Sequence, residues 1–302
     1  MANTLNSLNN GKILAQEALA YLRKALYKLD IVTTDFSAVP ARKGEAVVSR
    51  IHDKATVADF GSAATDVTST DVPVTIDQHK QVMETFTADE LNKSARQLVK
   101  ERMGPQLEAV ADHMAAAVAG LFTVANVPTE TVEPIVDCDY GTVVALRNVM
   151  SARGVTSGNR NLIANSAVYG NLLLDTILIS ANNSTQNDGV INDGVLRGAA
   201  GFRSIVEYPD LPTAENLIGV AVTPAAAVLA VRPPNDPRTS GDSITYNGFI
   251  GYITEPESGI TVMLNEYIDQ VTLARTLRLV FLYGVAIGNG DQAERLVHTA
   301  QA

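Results

Sequence analysis

With 302 residues, 46% of them hydrophobic and 19% charged, the chain is long enough for one large core or two smaller ones and too apolar for a disordered polymer. Its net charge of -10 has the wrong sign for a dedicated nucleic-acid binder. The single cysteine, Cys138, excludes an internal disulfide and a thiolate metal cluster.

No run approaches the roughly 18 to 20 apolar residues of a membrane helix, and the polar start MANTLNSLNNGK has no signal pattern, so a cytoplasmic origin is expected. Residues 12 to 30 read as an amphipathic helix: Ala15, Ala18, Leu19, Leu22, Ala25, Leu26 and Leu29 recur at three-four spacing, with Lys12, Arg23, Lys24 and Lys28 largely elsewhere. Up to Lys54 eight bases face five acids, a net +3, which leaves -13 for the remainder. A basic arm on an acidic body can pair with a neighbouring copy of that body; ordinary solvated charge explains so small a bias equally well. An extended connector follows to Gly44, then two strands, Glu45 to Ile51 and Val72 to Ile76, the second prolonged towards Phe86. Between them KATVADFGSAATDVTSTD is small and polar, without an apolar face. That describes a long hairpin with a tip that has no core of its own.

Thr87 to Glu90 is a capping box, with Phe86 placed to staple onto Leu91, and predicts a helix towards Arg102. Gly104-Pro105 interrupts and restarts it, and Leu107, Val110, Ala111, Met114, Val118 and Leu121 form a long apolar stripe. An alternating αβ section comes next: a helix over Gly141 to Arg153, a strand over Asn161 to Ala164, a helix from Ser166 to Asp175 capped by Ser166. Residues 180 to 194 have loop composition, Gly201 to Tyr208 reads as a strand, and Ile218 to Val231 as a helix or a strand. The final third predicts an antiparallel meander of Phe249 to Thr254, Ile260 to Tyr267 and Leu273 to Ala286.

The motifs that would carry catalysis are missing: there is no G-x-S-x-G elbow, P-loop, dinucleotide fingerprint or H-E-x-x-H helix. Asp137, Cys138 and Asp139 with Glu133 could hold a hard cation, but a solvated turn is the simpler reading. His52, His79, His113 and His298 are scattered without spaced partners. No catalytic, cofactor or metal residue is therefore assigned.

Three segments carry a family resemblance. GAAGFRSIVEYPDLP (198–212) opens a strand with a Gly-Phe pair, GVAVTPAAAVLAVRPPNDP (219–237) sets a short strand before an Ala-rich stretch and an Arg-Pro exit, and SGITVMLNEYIDQVTLARTLRLVFLYGVAIGN (258–289) contains a turn Gly, a central Tyr and a terminal Leu-Tyr-Gly. Together, and in this order, they resemble the major capsid proteins of tailed bacteriophages. That resemblance implies an α+β chain of the HK97-type capsid fold, with an N-terminal arm (1–43), an extended β-hairpin loop (44–86), a peripheral domain with a long spine helix (87–135 and 247–302) and an axial domain (136–246). In the family the Ala-rich stretch is helical.

The resemblance further implies a structural protein and no enzyme. It would be a homo-oligomer of pentamers and hexamers in an icosahedral shell, assembled in the host bacterial cytoplasm and ending in the virion. It would enclose double-stranded DNA without sequence-specific contact, need no cofactor and touch no membrane. A separate scaffold protein, a portal and an optional cementing protein are the implied partners, the scaffold because the arm helix starts almost at Met1. Arg23, Lys24 and Lys28 on the arm, and Arg50, Lys54 and Phe60 on the loop, are the candidate inter-subunit contacts, and Phe202 is the expected buried anchor of its strand. Two alternatives stay open: an encapsulin-type compartment of the same fold, and a soluble α/β enzyme or binding protein with a site of another kind.

Overall fold

A computed structural model describes residues 11–29, 31–52, 69–87, 97, 99–155, 158–177, 196, 198–209, 211–236, 248–255, 258–269 and 274–299. Helix α1 (Gly11–Ala25) is extended by a 3-10 turn over Leu26–Leu29, and its stripe of Ala15, Ala18, Leu19, Leu22, Leu26 and Leu29 is buried. After β1 (Thr33–Phe36), strands β2 (Ala46–His52) and β3 (Ser69–Thr75) pair antiparallel from Ala46–Thr75 out to His52–Ser69. The chain then passes Ile76 and Asp77 into β4 (Gln78–Phe86), which joins another sheet. The single strand expected from Val72 towards Phe86 is thus two strands with different neighbours.

Most of the segment opened by the Thr87–Glu90 box lies outside the described residues. A π-helical turn over Val99–Met103 runs directly into α2 (Gly104–Ala119), so Gly104-Pro105 joins two helical pieces where a break was expected. Pro105 falls in the first turn of α2, where an N–H would have no intrahelical acceptor. Of the predicted stripe, Leu107, Val110, Ala111, Met114 and Val118 are buried.

Then come β5 (Glu130–Val132), α3 (Tyr140–Ala152), β6 (Asn161–Ala164), α4 (Ser166–Leu174) and β7 (Ser204–Glu207). Asp139 caps α3 through a reciprocal pair with Thr142: Thr142 N donates to Asp139 Oδ1 at 3.1 Å, and Asp139 N to Thr142 Oγ1 at 3.3 Å. The cap of α4 is Asn165, one residue before the expected Ser166; its Oδ1 accepts from Val168 N at 2.9 Å. Strands β8 (Leu217–Val222) and β9 (Ala227–Arg232) are separated by a short turn at Pro224–Ala226. The Ala-rich stretch is therefore strand, and the helix implied for it is corrected: Pro224 opens a turn, and every residue of β9 is buried, as suits a strand covered on both faces. The chain closes with β10 (Gly248–Thr254), β11 (Thr261–Ile268), the long β12 (Arg275–Ile287) and β13 (Ala293–Val297).

The larger sheet has the order β1-β9-β12-β11-β10. One side of β12 is shared by β11 over Arg275–Val280 and β9 over Leu282–Ile287, and β4 pairs along its other side over Arg275–Tyr283. The second sheet has the order β5-β13-β8-β6-β7, so the last strand leaves the meander to pair with β8 and β5. The main core joins α1 and α2 to the larger sheet through Val82, Phe86, Leu264, Leu279 and Phe281, and takes in one face of the second sheet through Ile163, Val220 and Val222. The opposite face of that sheet, through Leu162, Ile218, Ala221 and Leu296, packs on α3 and α4. Helices on one sheet face and a mixed sheet between two cores make an α+β architecture. No helix among the described residues is long and apolar enough to cross a membrane.

Candidate assembly surfaces

The arm helix spends its apolar stripe within its own chain. Leu19, Leu22 and Leu26 share the main core with Leu107, Val110 and Met114 of α2. Tyr21 donates to Glu108 of α2 at 2.5 Å; that hydrogen bond, then burial, raises the phenol's pKa. Arg23 lies 3.7 Å from Glu255, at the end of β10, whose side chain is only 6% exposed. Burial works to raise the Glu255 pKa, yet the hydrogen bonds from Ser258 and the Arg23 charge outweigh it and hold the carboxyl below its ordinary value. The side chains of Lys24 and Lys28 lie outside what the structure describes.

The hairpin β2–β3 has two unlike halves. At its root Val72, Val74 and Ile76 are buried against Val228, Ala230 and Leu282, so the root belongs to the body of the same chain. Gly284 of β12 passes so close beneath it that a Cβ there would stand 2.1 Å from the Thr75 carbonyl oxygen. Farther out Arg50 Nε donates to Asp71 Oδ1 at 2.9 Å, both side chains being exposed. Lys54 and Phe60 lie outside the described residues.

Phe202 is 4% exposed and packs in the second core with Val143, Leu146 and Ile205. Gly201 before it adopts φ +86°, a conformation that side-chain-bearing residues avoid, so the Gly-Phe pair turns the backbone and drops the ring into the core. The strand itself starts three residues later than predicted, at Ser204.

At the foot of α3, Cys138 is buried, and its thiol is pushed up to about 11 by burial and by the carboxylates of Glu133, Asp137 and Asp139. Among the described residues no group of three or more His, Cys, Asp or Glu side chains is arranged to hold a metal ion. His113 hydrogen-bonds the buried Tyr283, whose hydroxyl is pushed up to about 12 by burial and by Asp77.

No family model and no curated protein matches this sequence. Solved structures do match its architecture. A capsid structure of the cyanophage P-SCSP1u shares 12% identity at a TM-score of 0.53, covering 90% of this chain and 87% of its own. A structure of Mycobacterium phage Che8 shares 17% at 0.50, covering 87% and 90%, and the capsid of a native GTA particle shares 10% at 0.50, covering 91% of each chain. The chain has the HK97-type capsid fold.

Within this capsid fold the positions picked from sequence scatter: Arg23 faces the body, Arg50 stands on the hairpin, and Phe202 sits in the second core. Sequence reasoning missed Glu255, which lies 232 positions from Arg23 and carries no local signal. It also missed Arg295, a fully buried guanidinium in the last strand that pairs with Glu130 at 3.4 Å and Glu215 at 3.2 Å and ties β13 to the second sheet. The one available hint was the charged pair Glu294 and Arg295 flanked by the apolar Ala293, Leu296 and Val297.

Proposed function

We propose that this chain is the major capsid (head) protein of a tailed bacteriophage, self-assembling into an icosahedral shell of pentamers and hexamers that encloses double-stranded DNA. The carrying observation is the match to a phage capsid structure over 90% of the chain. A hairpin rooted in the body, with a tip of small and polar residues that has nothing to fold around, makes sense as a structure meant to lie on another copy. An acidic chain of net charge -10 suits containment of DNA without sequence-specific contact. In this reading the protein acts by assembling and catalyses nothing.

In this reading 1–43 is the arm and 44–86 the extended loop, set on a peripheral domain made by 87–135 and 247–302. The axial part, 136–246, is completed by the returning strand β13. Lys24, Lys28, Arg50, Lys54 and Phe60 are the proposed contacts to neighbours, Arg23 being turned to Glu255 of its own chain, with a scaffold protein, a portal and an optional cementing protein as partners. Negative-stain images of the purified protein test the reading: uniform closed particles are expected, and their diameter gives the shell size. A monodisperse small species with affinity for a small ligand would sink it.

A further inference from the structure

Three arginines gather beside α3. Arg160, just before β6, is 2% exposed; its guanidinium donates to the carbonyls of Arg147 on α3, at 3.4 Å, and of Val155. Its Nε has no partner among the described residues. The loop before β7 folds over the same place: Arg203 N donates to the Arg160 carbonyl at 2.7 Å, and a Cβ on Gly201 would stand 3.4 Å from Arg147 Nε. Arg147 and Arg203 are exposed, and among the described residues no carboxylate pairs with any of the three. Burial and the Arg147 charge both weigh against the cation at Arg160, and guanidinium does not give up its proton in the accessible pH range. A buried cation without a counter-charge is costly, so the cluster calls for an anion from outside.

The same chain carries a complementary surface. Glu133, Asp137 and Asp139 ring the turn at the foot of α3, and Val136 within it is 83% exposed. Asn171 donates to the Ile135 carbonyl at 2.5 Å, and Asp175 accepts from Tyr140 N at 2.8 Å, which brings the exposed Leu174 and Ile177 beside the turn. Exposed apolar residues rimmed by charge mark a contact surface. Arg147 is two turns farther along α3, about 12 Å at 1.5 Å per residue, and the two surfaces form no ion pair within the subunit.

We propose that the exposed Arg147 and Arg203, backed by the buried charge of Arg160, form a carboxylate-binding site for the acidic turn Glu133–Asp139 of a second copy of this chain. The contact deepens the assembly reading above and rests on it. Guanidinium forks match carboxylates in bidentate geometry, and a chain with 33 acidic side chains against 23 basic ones supplies them in surplus. Because two different patches of one chain meet, the contact runs head to tail, the arrangement that closes copies into rings.

A charge-reversal cycle tests it in the full chain. Arg147→Glu with Arg203→Glu, and separately Glu133→Lys with Asp137→Lys, are each expected to lower the yield of closed particles at least tenfold, read by sedimentation and negative stain. All four changes together should restore the yield to within about twofold, since the attraction is rebuilt with its signs exchanged. The melting temperature of the unassembled subunit controls for folding. If a reversal lowers it, Arg147→Gln with Arg203→Gln replaces the arginine pair, with the same expected loss. Normal particle yield from the arginine variant, or a combined variant as defective as either pair, overturns the contact. Normal particles lacking DNA would assign the arginines to nucleic acid and overturn it as well. An unmodified protein that forms no particles sinks the assembly reading itself, a result distinct from all of these.

Discussion

Arg23 on the arm helix and Glu255 at the end of β10 stand 3.7 Å apart, joining the first helix of the chain to a strand more than two hundred residues away. Glu255 is nearly buried, and its pKa lies below the ordinary 4.5 because the Ser258 hydrogen bonds and Arg23 overcome the cost of burial. A carboxyl whose folded pKa is depressed stabilises the fold fully above its unfolded pKa, and that contribution is lost as pH falls through the folded value. The unassembled subunit should therefore lose melting temperature below about pH 4.5 in part through this group. Glu255→Gln should melt lower than the unmodified subunit at pH 7 and converge with it in acid. Parallel curves from pH 3 to 7 would show that this carboxyl is not linked to folding.

Gly284 gives a sharper steric test. Its missing side chain leaves room for the Thr75 carbonyl oxygen, which a Cβ would meet at 2.1 Å, and both sides of that contact are backbone. Gly284→Ala must push the hairpin root away from β12 or bend the long strand. Overpacking of this kind costs about 1 to 3 kcal/mol, and thermal unfolding of the subunit would read it. A melting temperature within a degree of the unmodified protein would mean that the two strands do not lie this close.

Where a pattern had one buried face, the fold was legible in the sequence; where both faces are buried, it was not. The α1 stripe of Leu19, Leu22 and Leu26 and the α2 stripe of Leu107, Val110 and Met114 have helical spacing because only one side of each helix is covered. Residues 217–232 are apolar almost throughout, since β8 lies between two cores and β9 between the main core and the hairpin root, so helix and strand looked alike. The corner between β3 and β4 was hidden for a related reason. Val72, Val74, Ile76, Val82 and Phe86 keep the same parity although the first three face the hairpin cluster and the last two the main core. The arginine cluster was invisible because Arg147, Arg160 and Arg203 meet only through the packing of a helix, a strand and a loop.

Phe202 was legible, and it carries a prediction of its own. The ring is buried among Val143, Leu146 and Ile205, at the point where the Gly201 turn delivers the chain to β7. Phe202→Ala should cost about 3 to 5 kcal/mol by removing the ring and leaving a cavity that the capped helix α3 cannot readily fill. Denaturant unfolding of the subunit measures this. An unchanged midpoint would place the ring outside the core.

The hairpin separates subunit stability from assembly. Its root is held by Val72, Val74 and Ile76 on Val228, Ala230 and Leu282, whereas the tip sequence KATVADFGSAATDVTST has no apolar face to add to that core. Replacing residues 56–68 by a short Asn-Gly turn keeps the β2–β3 pairing from Ala46–Thr75 to His52–Ser69 and removes only the tip. Changes away from buried features usually alter stability by within about 0.5 kcal/mol each, so the melting temperature of the subunit should stay nearly constant. Closed particles should be lost, because a tip without a fold of its own contributes only through contact with a neighbour. A variant that melted far below the unmodified subunit would show that the tip packs on its own body. One that built normal particles at normal yield would remove the hairpin tip from the assembly contacts and leave the head-to-tail carboxylate–arginine contact to hold neighbouring copies together.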